Sequence, residues 1–591
     1  MSVATLQAEW CALFFDALAA AGVEDVFIVP GGNSTPLMLA AVRNAQLRCR
    51  PFADERSAAF FALGYGKRSG RPAVVLCTSN SAAAQCHPAV VEADGSFTPM
   101  IIVAAELGAG QQIDLFGRSV RMMFDLGPPE MADLIKLRRR AAQLVHVALA
   151  PEPGPVHVHA PALLPLAPLA DATSEDDRVR DQVRPLYVYP VTWAAEDVRG
   201  PDPDAIEALA VAIRAARRGV IVAGPAAVSQ ASARTAVARV AKRTGFPILA
   251  EATSQLRWGI DPRRVPVCDG FPAWFASRRA RELLSPDLIV RIGDTPAALG
   301  WPGFSDWNLG RPRAVVTPFG WRGVESTARV LLQSDAAAAF AALRAALGPG
   351  RVSSETRRWM RALTAVSALV WKHVDAEIAS TRALSDATVT RETMAALPTG
   401  GLLVLGNSMP IRAVDFFCPA DSKDLDVVCQ RATGDIAGSV SVAAGAASAG
   451  DTPTALLIGD ASLLHDIGGL AAARAAPAPL AVVVVDNEGG RLFERNAAAF
   501  VPDLGDAFER YWLAPPRVDW GHAAQAFGVA YAEADRPRLL RRALQRALSR
   551  SGCTVIRAIV PPDIAWKPYD RVTEAVDDEI EAVVKRATAR R

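Results

Sequence analysis

Leu456-Leu457-Ile458-Gly459-Asp460 and, further on, Val485-Asp486-Asn487-Glu488-Gly489-Gly490 decide how this chain is read. An apolar run too short for a helix ends in Gly-Asp. A second ends in an Asn that is followed, one residue on, by two glycines. Apolar runs of this length, bounded by turn residues, fit strands of a parallel sheet covered on both faces. The C-terminal ends of such strands open on one edge, where ligands bind. One carboxylate (Asp460), one amide oxygen (Asn487) and one backbone carbonyl (Gly489) can meet there. That is the hard-oxygen set Mg²⁺ accepts, with phosphate oxygens completing its octahedron. Glycines such as Gly459 and Gly490 let the backbone approach closely, and the helix after Gly459 turns its first N–H groups toward a diphosphate.

The same rhythm extends outward. Residues 26–29, 73–77, 100–104, 220–223, 288–292 and 402–405 are short apolar runs closed by Gly, Pro, Asp or Asn and separated by Ala-rich amphipathic helices. This predicts an α/β chain of parallel sheets and excludes an all-helical array. At roughly 100–200 residues per domain, the length suggests three to four domains. Two stretches read as linkers: the Pro-rich residues 151–168, followed by the acidic 171–181, and residues 351–386, expected as a long exposed helix. They divide the chain into Rossmann-like units at 1–192, 193–350 and 384–591. The first and last share length and strand rhythm, as in a duplicated fold, without a residue-level repeat.

Hydrophobic residues make up 51% and charged residues 21%, and the formal net charge is +2. So small a charge gives no reason to expect nucleic acid or an anionic membrane as partner. With no run of about 18 apolar residues, no membrane span is expected. Residues 1–10 lack the pattern of a secretory signal. Instead Thr5 is expected to cap a helix in which Trp10, Leu13, Phe14, Leu18 and Ala21 share one face. Eight scattered cysteines form no CxxC pair, which argues against a disulfide framework or zinc site and fits a cytoplasmic setting.

The Gly459-Asp460 and Asn487 pair resembles the diphosphate-binding motif of thiamine-diphosphate enzymes, with Ala461 in place of a third glycine. Such chemistry needs a second acid, in the first unit, bonded to the aminopyrimidine ring. Glu55, opening an apolar-striped helix in Asp54-Glu55-Arg56-Ser57-Ala58-Ala59-Phe60-Phe61-Ala62-Leu63-Gly64, supplies it. An apolar pocket and a raised pKa are expected for this carboxyl.

Over most of its length the chain is similar to the 2-succinyl-5-enolpyruvyl-6-hydroxy-3-cyclohexene-1-carboxylate (SEPHCHC) synthase family. Gly406-Asn407-Ser408-Met409-Pro410-Ile411-Arg412 carries the resemblance most specifically, with Gly154-Pro155-Val156-His157 and Phe508-Glu509-Arg510-Tyr511 among the other segments. The resemblance implies pyrimidine-binding, middle and diphosphate-binding domains. It implies thiamine diphosphate and Mg²⁺ as cofactors, and a homodimer or homotetramer with each cofactor between Glu55 of one chain and the metal site of another. Ala461, Ser462 and Met409 would contact the cofactor, Ile436 would bend it, and Leu492 and Phe493 would line the reaction pocket. Family enzymes decarboxylate 2-oxoglutarate and add the four-carbon unit to isochorismate. Ser408, Arg412 and Arg431 match the positions that hold the succinyl carboxylate.

The acceptor side departs from the family. Gly32-Asn33 stands where the family has Ser-Arg. An Arg-containing loop is shortened to Glu106-Leu107-Gly108-Ala109-Gly110-Gln111-Gln112, and Thr295-Pro296-Ala297-Ala298-Leu299-Gly300 replaces a Lys-Arg segment. Asn33, Gln111 and Gln112 remain as polar candidates for acceptor contacts. His87 reads as a packed or surface histidine rather than a new contact. Charged hydrogen bonds contribute on the order of 1.5–3 kcal/mol each, so an acceptor other than isochorismate is expected. A genuine SEPHCHC synthase and a non-catalytic scaffold are the alternatives.

Overall fold

The computed structural model describes residues 3–78, 81–108, 114–167, 174–192, 194, 200–225, 231–321, 323–324, 327–502 and 504–589. Among them three sheets form, and every strand pairing is parallel. The first contains β1 (Asp25–Ile28), β2 (Arg48–Pro51), β3 (Val74–Thr78), β4 (Met100–Leu107), β5 (Met123–Asp125) and β6 (Pro155–Ala162). The second contains β7 (Gly219–Ala223), β8 (Ile248–Ala250), β9 (Leu288–Ile292), β10 (Arg313–Thr317) and β11 (Ala328–Gln333). The third contains β12 (Gly401–Leu405), β13 (Leu425–Cys429), β14 (Thr454–Gly459), β15 (Pro479–Asp486), β16 (Ala530–Ala534) and β17 (Gly552–Ile559).

The first sheet runs β2-β1-β3-β4-β6-β5 and the third β13-β12-β14-β15-β17-β16. The two orders are the same, so the duplication suggested by the strand rhythm is real at the level of topology. In both, the order reverses between the first strand of the set and the third. Side chains that follow those strands open on the crevice where doubly wound sheets bind ligands. In the third sheet the crevice lies between β12, which leads into Ser408, and β14, which leads into Asp460. Leu403 pairs with Ala455 and Leu457 with Val483, all of them buried, so the central strands are sealed on both faces.

Contacts gather the chain into two compact units. One comprises Met1–Val198, Gln430–Asp451 and Asp466–Ala475; the other comprises Arg199–Cys429, Thr452–His465 and Ala476–Arg591.

In the first unit, the helix Val3–Ala20 is long and apolar enough to cross a membrane by length and composition, contrary to the sequence reading. Its Trp10, Leu13, Phe14 and Leu18 are buried in the core around the first sheet, which accounts for its apolarity. Thr5 lies inside this helix and bonds Asp176 with its hydroxyl, so it is not the cap. The Pro-rich stretch is not a simple linker: Pro155–Ala162 is a fully buried strand. The helices Glu55–Ser69 and Ser439–Ser448 cross so closely that a Cβ at Gly64 would overlap the Val442 carbonyl, and one at Gly445 the Phe61 carbonyl.

In the second unit, the helix Ser354–Ser380 buries Trp359, Leu363, Val366, Val370 and Val374 in the core rather than standing exposed. Arg257 is fully buried. It donates to the carbonyls of Ala250 (2.9 Å), Asp415 (2.7 Å) and Cys418 (2.9 Å) and pairs with the Asp415 carboxylate at 3.4 Å. These bonds clamp the C-terminal turn of the helix Met409–Phe417, whose first residues are site candidates.

Candidate active site

Two of the metal candidates touch directly, Gly489 through its N–H and Asp460 through its carboxylate, and Asn487 lies two residues before Gly489 on the same loop. Asp460 starts a short helix directly after β14, and Asn487 directly follows β15. Asp460 is buried; its Oδ1 accepts the Ala461 N–H at 2.7 Å and its Oδ2 the Gly489 N–H at 2.8 Å. Thus the Ala461 N–H, the first available from this helix, is already taken by the Asp460 side chain. Burial pushes the Asp460 carboxyl up to about 6, against the pull of the Gly489 and Ala461 N–H groups and with help from the neighbouring Asp486 carboxylate. The Asn487 side chain is buried, and its amide has no hydrogen-bond partner among the described residues.

A buried carboxylate short of compensating charge, beside a buried amide short of a partner, is the donor set a hard divalent cation satisfies. The residues therefore fit Mg²⁺. Among the described residues no group of three His, Cys, Asp or Glu side chains is placed to hold a metal. This set of one carboxylate, one amide and one carbonyl instead leaves positions for phosphate oxygens. Gly489 has φ +106°, and a Cβ there would overlap the Leu513 carbonyl, so only glycine fits. Its carbonyl accepts the Arg491 N–H at 2.9 Å and keeps a second lone pair.

Three residues missed from the sequence support this loop. Arg491 folds back, and its guanidinium donates to the carbonyls of Asn487 (2.9 Å) and Glu488 (3.3 Å) while pairing with Glu494 at 2.9 Å. Arg557, on β17, pairs with Asp486 at 2.6 Å. No spacing motif announces any of these contacts, because each depends on a side chain returning to a loop.

Of the other cofactor candidates in this unit, Ser462 is buried and Ala461 half-buried beside Asp460. Gly490 donates its N–H to the Leu513 carbonyl at 2.7 Å. Leu492 packs against the core, whereas Phe493 is 39% exposed. Met409 is buried in the apolar cluster with Ala413 and Phe416. Ser408 holds φ +71°, a conformation non-glycine residues rarely adopt, at the N-terminus of Met409–Phe417. Its carbonyl accepts from Arg412 Nη1 at 2.6 Å.

In the first unit, Glu55 is the first residue of its helix, which Asp54 caps by accepting the Ser57 N–H at 2.7 Å. The Glu55 side chain is half-buried within the single chain, not enclosed in the expected apolar pocket. Asn33 lies half-buried in the turn before Thr35–Arg43. Ile436 is half-buried in the loop that leads into Ser439–Ser448. Arg431 opens that loop. Its Nε is buried without a partner, and it makes no ion pair among the described residues. His87 packs its ring edge-on to Phe116 at 5.6 Å. Gln111 and Gln112 lie outside the described residues.

Residues 10–118 match the model of the thiamine pyrophosphate enzyme N-terminal TPP binding domain, and residues 422–558 match that of the C-terminal TPP binding domain. The chain is 38% identical to a 2-succinyl-5-enolpyruvyl-6-hydroxy-3-cyclohexene-1-carboxylate synthase of Sorangium cellulosum, over 95% of this chain and 94% of that one. It is 35% identical to the protein of the same name from Geobacillus kaustophilus, over 93% and 94%. Among solved structures, benzoylformate decarboxylase from Polynucleobacter necessarius superposes with a TM-score of 0.69 at 18% identity, covering 94% of this chain and 98% of that one. At that identity the superposition speaks to the fold.

Proposed function

The chain belongs to the SEPHCHC synthase family of thiamine-diphosphate-dependent enzymes, and from that premise we propose that it decarboxylates 2-oxoglutarate and joins the four-carbon unit to isochorismate. The observation that carries this reading is the likeness to synthases of that name along nearly the whole chain, at 38% identity for the Sorangium protein. The unpaired guanidinium of Arg431 supports it from the substrate side.

In this reading the three sheets are the cores of the pyrimidine-binding, middle and diphosphate-binding domains. Asp460, Asn487 and the Gly489 carbonyl hold Mg²⁺, with Ala461, Ser462 and Gly490 against the diphosphate. Thiamine diphosphate, when bound, supplies the carbanion chemistry. Glu55 holds the proton exchanged with its aminopyrimidine ring. Arg431 and Arg412 bind the distal carboxylate of the 2-oxo acid, where a guanidinium gains from its forked geometry, and Ser408 adds a hydroxyl. Ile436, Leu492 and Phe493 supply apolar surface. The working enzyme is a homodimer or homotetramer in a cytoplasmic setting.

A different acceptor is the second reading, favoured by the segment that lacks the family's Lys-Arg. Ala297 and Ala298 are core residues there, packed in apolar clusters and offering no cation. One assay separates the readings. With thiamine diphosphate and Mg²⁺ present, the purified protein is given 2-oxoglutarate alone and with isochorismate, and CO₂ and coupled product are measured. Product of the synthase mass supports the first reading. CO₂ release without isochorismate coupling, but with coupling to other unsaturated acids or aldehydes, supports the second. No CO₂ from 2-oxoglutarate ends both.

A further inference from the structure

The carboxylate of Glu92 is 1% exposed, yet five hydrogen-bond donors converge on it. Glu92 lies on the helix His87–Gly95. Its Oε1 accepts the backbone N–H groups of Arg431 (3.1 Å) and Ala432 (3.3 Å) and the ammonium of Lys67 (3.2 Å). Its Oε2 accepts the N–H of Thr433 at 2.9 Å and the Thr433 hydroxyl at 2.9 Å. Three successive N–H groups converging on one carboxylate form an anion-binding nest filled by the protein's own side chain. The loop they belong to lies between β13 and Ser439–Ser448. Residues 432–435 are exposed, and the remaining polar contacts of Asp435 are with its own neighbours Ile436 (2.6 Å) and Ala437 (3.3 Å). Glu92 thus holds the backbone of residues 431–433, beneath Arg431, while Gln430 Nε2 closes the far end of the loop on the Ala437 carbonyl at 2.7 Å.

The guanidinium of Arg431 has no such anchor. Its backbone is pinned by Glu92 while its buried Nε lacks a partner. A cation fixed at its root and unpaired at its tip is pre-organised for an anion that arrives from outside, because less side-chain and loop entropy is lost on binding. Were the loop loose, the same arginine would gain less from a distal carboxylate. The Lys67 ammonium, itself largely buried, balances the Glu92 charge and leaves the charge of Arg431 uncompensated for a ligand. We propose that Glu92 is a positioning residue for substrate selectivity. By gathering the N–H groups of residues 431–433, it sets the place of Arg431 and with it the preference for a 2-oxo acid bearing a second carboxylate. The proposal rests on the reading of Arg431 as a carboxylate grip.

The test compares 2-oxoglutarate with 2-oxopentanoate, which has the same chain length with a methyl in place of the distal carboxylate. Initial rates of CO₂ release with saturating thiamine diphosphate and Mg²⁺ give KM and kcat for both acids. In Glu92→Gln the KM for 2-oxoglutarate is expected to rise about tenfold with kcat within twofold, while the KM for 2-oxopentanoate stays within twofold. A destabilised but merely structural variant would instead lose kcat for both acids together. An unchanged ratio of the two KM values in folded Glu92→Gln overturns the proposal. If that variant does not fold, Lys67→Met/Glu92→Gln, which removes the pair together, and Thr433→Val, which removes one bond, decide by the same ratio; the latter is expected to shift it two- to threefold. Arg431→Ala tests the underlying reading separately: that reading fails if its ratio is unchanged, whatever Glu92→Gln shows. A wild-type preference ratio near one overturns both.

Discussion

Asp386 shows how a single buried carboxyl ties this protein's stability to pH. It opens the helix Asp386–Ala396, is 4% exposed and accepts the Tyr569 hydroxyl at 3.0 Å. Burial, opposed by that hydrogen bond, raises it from 3.8 to about 6. Since the folded value lies above the unfolded one, the folded chain binds more protons between them. The stabilising contribution is complete below about pH 4 and is lost as pH rises through 6. Asp386→Asn keeps an acceptor for Tyr569 and cannot ionise. Relative to wild type it is expected to gain on the order of 1–3 kcal/mol at pH 8 and almost none of this at pH 4, read by calorimetry at both values. A difference that does not change with pH would remove ionisation as the cause. Glu55 is a contrasting acid, half-buried and free of structural duty beyond opening its helix. Glu55→Gln is expected to lower CO₂ release by at least about 100-fold, the usual scale for loss of a general acid–base, with an unchanged melting temperature; wild-type turnover would refute its role. The places of Glu55, Asp460 and Asn487, at a helix start and at strand ends, were legible because local patterns fix them. Glu92 and Arg491 were not legible, because their meaning lies in backbone groups they reach only after folding.

At the level of elements, apolar runs closed by turn residues located strands well, including β9 at residues 288–292. The failures have physical reasons. β6 was lost among prolines, yet β5 pairs with β6 only at His157, Val158 and His159. Pro155 and Pro161 sit outside that pairing, where a missing N–H costs little. The helix Ser354–Ser380 looked exposed because Arg357, Arg358 and Arg361 crowd its start, but Trp359, Leu363, Val366, Val370 and Val374 repeat at helical spacing and mark a buried face. The crossing of Glu55–Ser69 with Ser439–Ser448 was invisible, since Gly64 and Gly445 stand far apart in the chain. It yields a sharp expectation. Gly445→Ala puts a methyl into the Phe61 carbonyl and should cost about 1–3 kcal/mol by overpacking. Gly450→Ala, where the space is open, should be nearly neutral. Equal melting temperatures for the two variants would mean that the helices part without cost.

For the molecule as a whole, one strand order serves twice with different loops. The sheet orders β2-β1-β3-β4-β6-β5 and β13-β12-β14-β15-β17-β16 are repeats of one topology, although no residue repeat survives. Burial constrains the strands only to be apolar, so their rhythm persisted while the strand-end loops diverged. In the third sheet the loops after β14 and β15 carry the proposed cation ligands Asp460 and Asn487, whereas in the first the loop after β2 leads to the acid Glu55. A site built from loops on a rigid sheet should stabilise the unit that holds it when filled, because ligand binds the folded state alone. Thiamine diphosphate and Mg²⁺ binding as one unit, at about 100 times their joint dissociation constant, should add about 2.7 kcal/mol to that unit and raise its unfolding midpoint by a few degrees. The shift should require both together, since Asp460 and Asn487 supply too few oxygens to hold the cation without phosphate. Asp460→Ala should abolish it. Arg491→Ala, which frees the Asn487 and Glu488 carbonyls, should move its half-maximum to higher Mg²⁺ concentration. An undiminished shift in Asp460→Ala, followed by scanning fluorimetry, would place the cation elsewhere on the molecule.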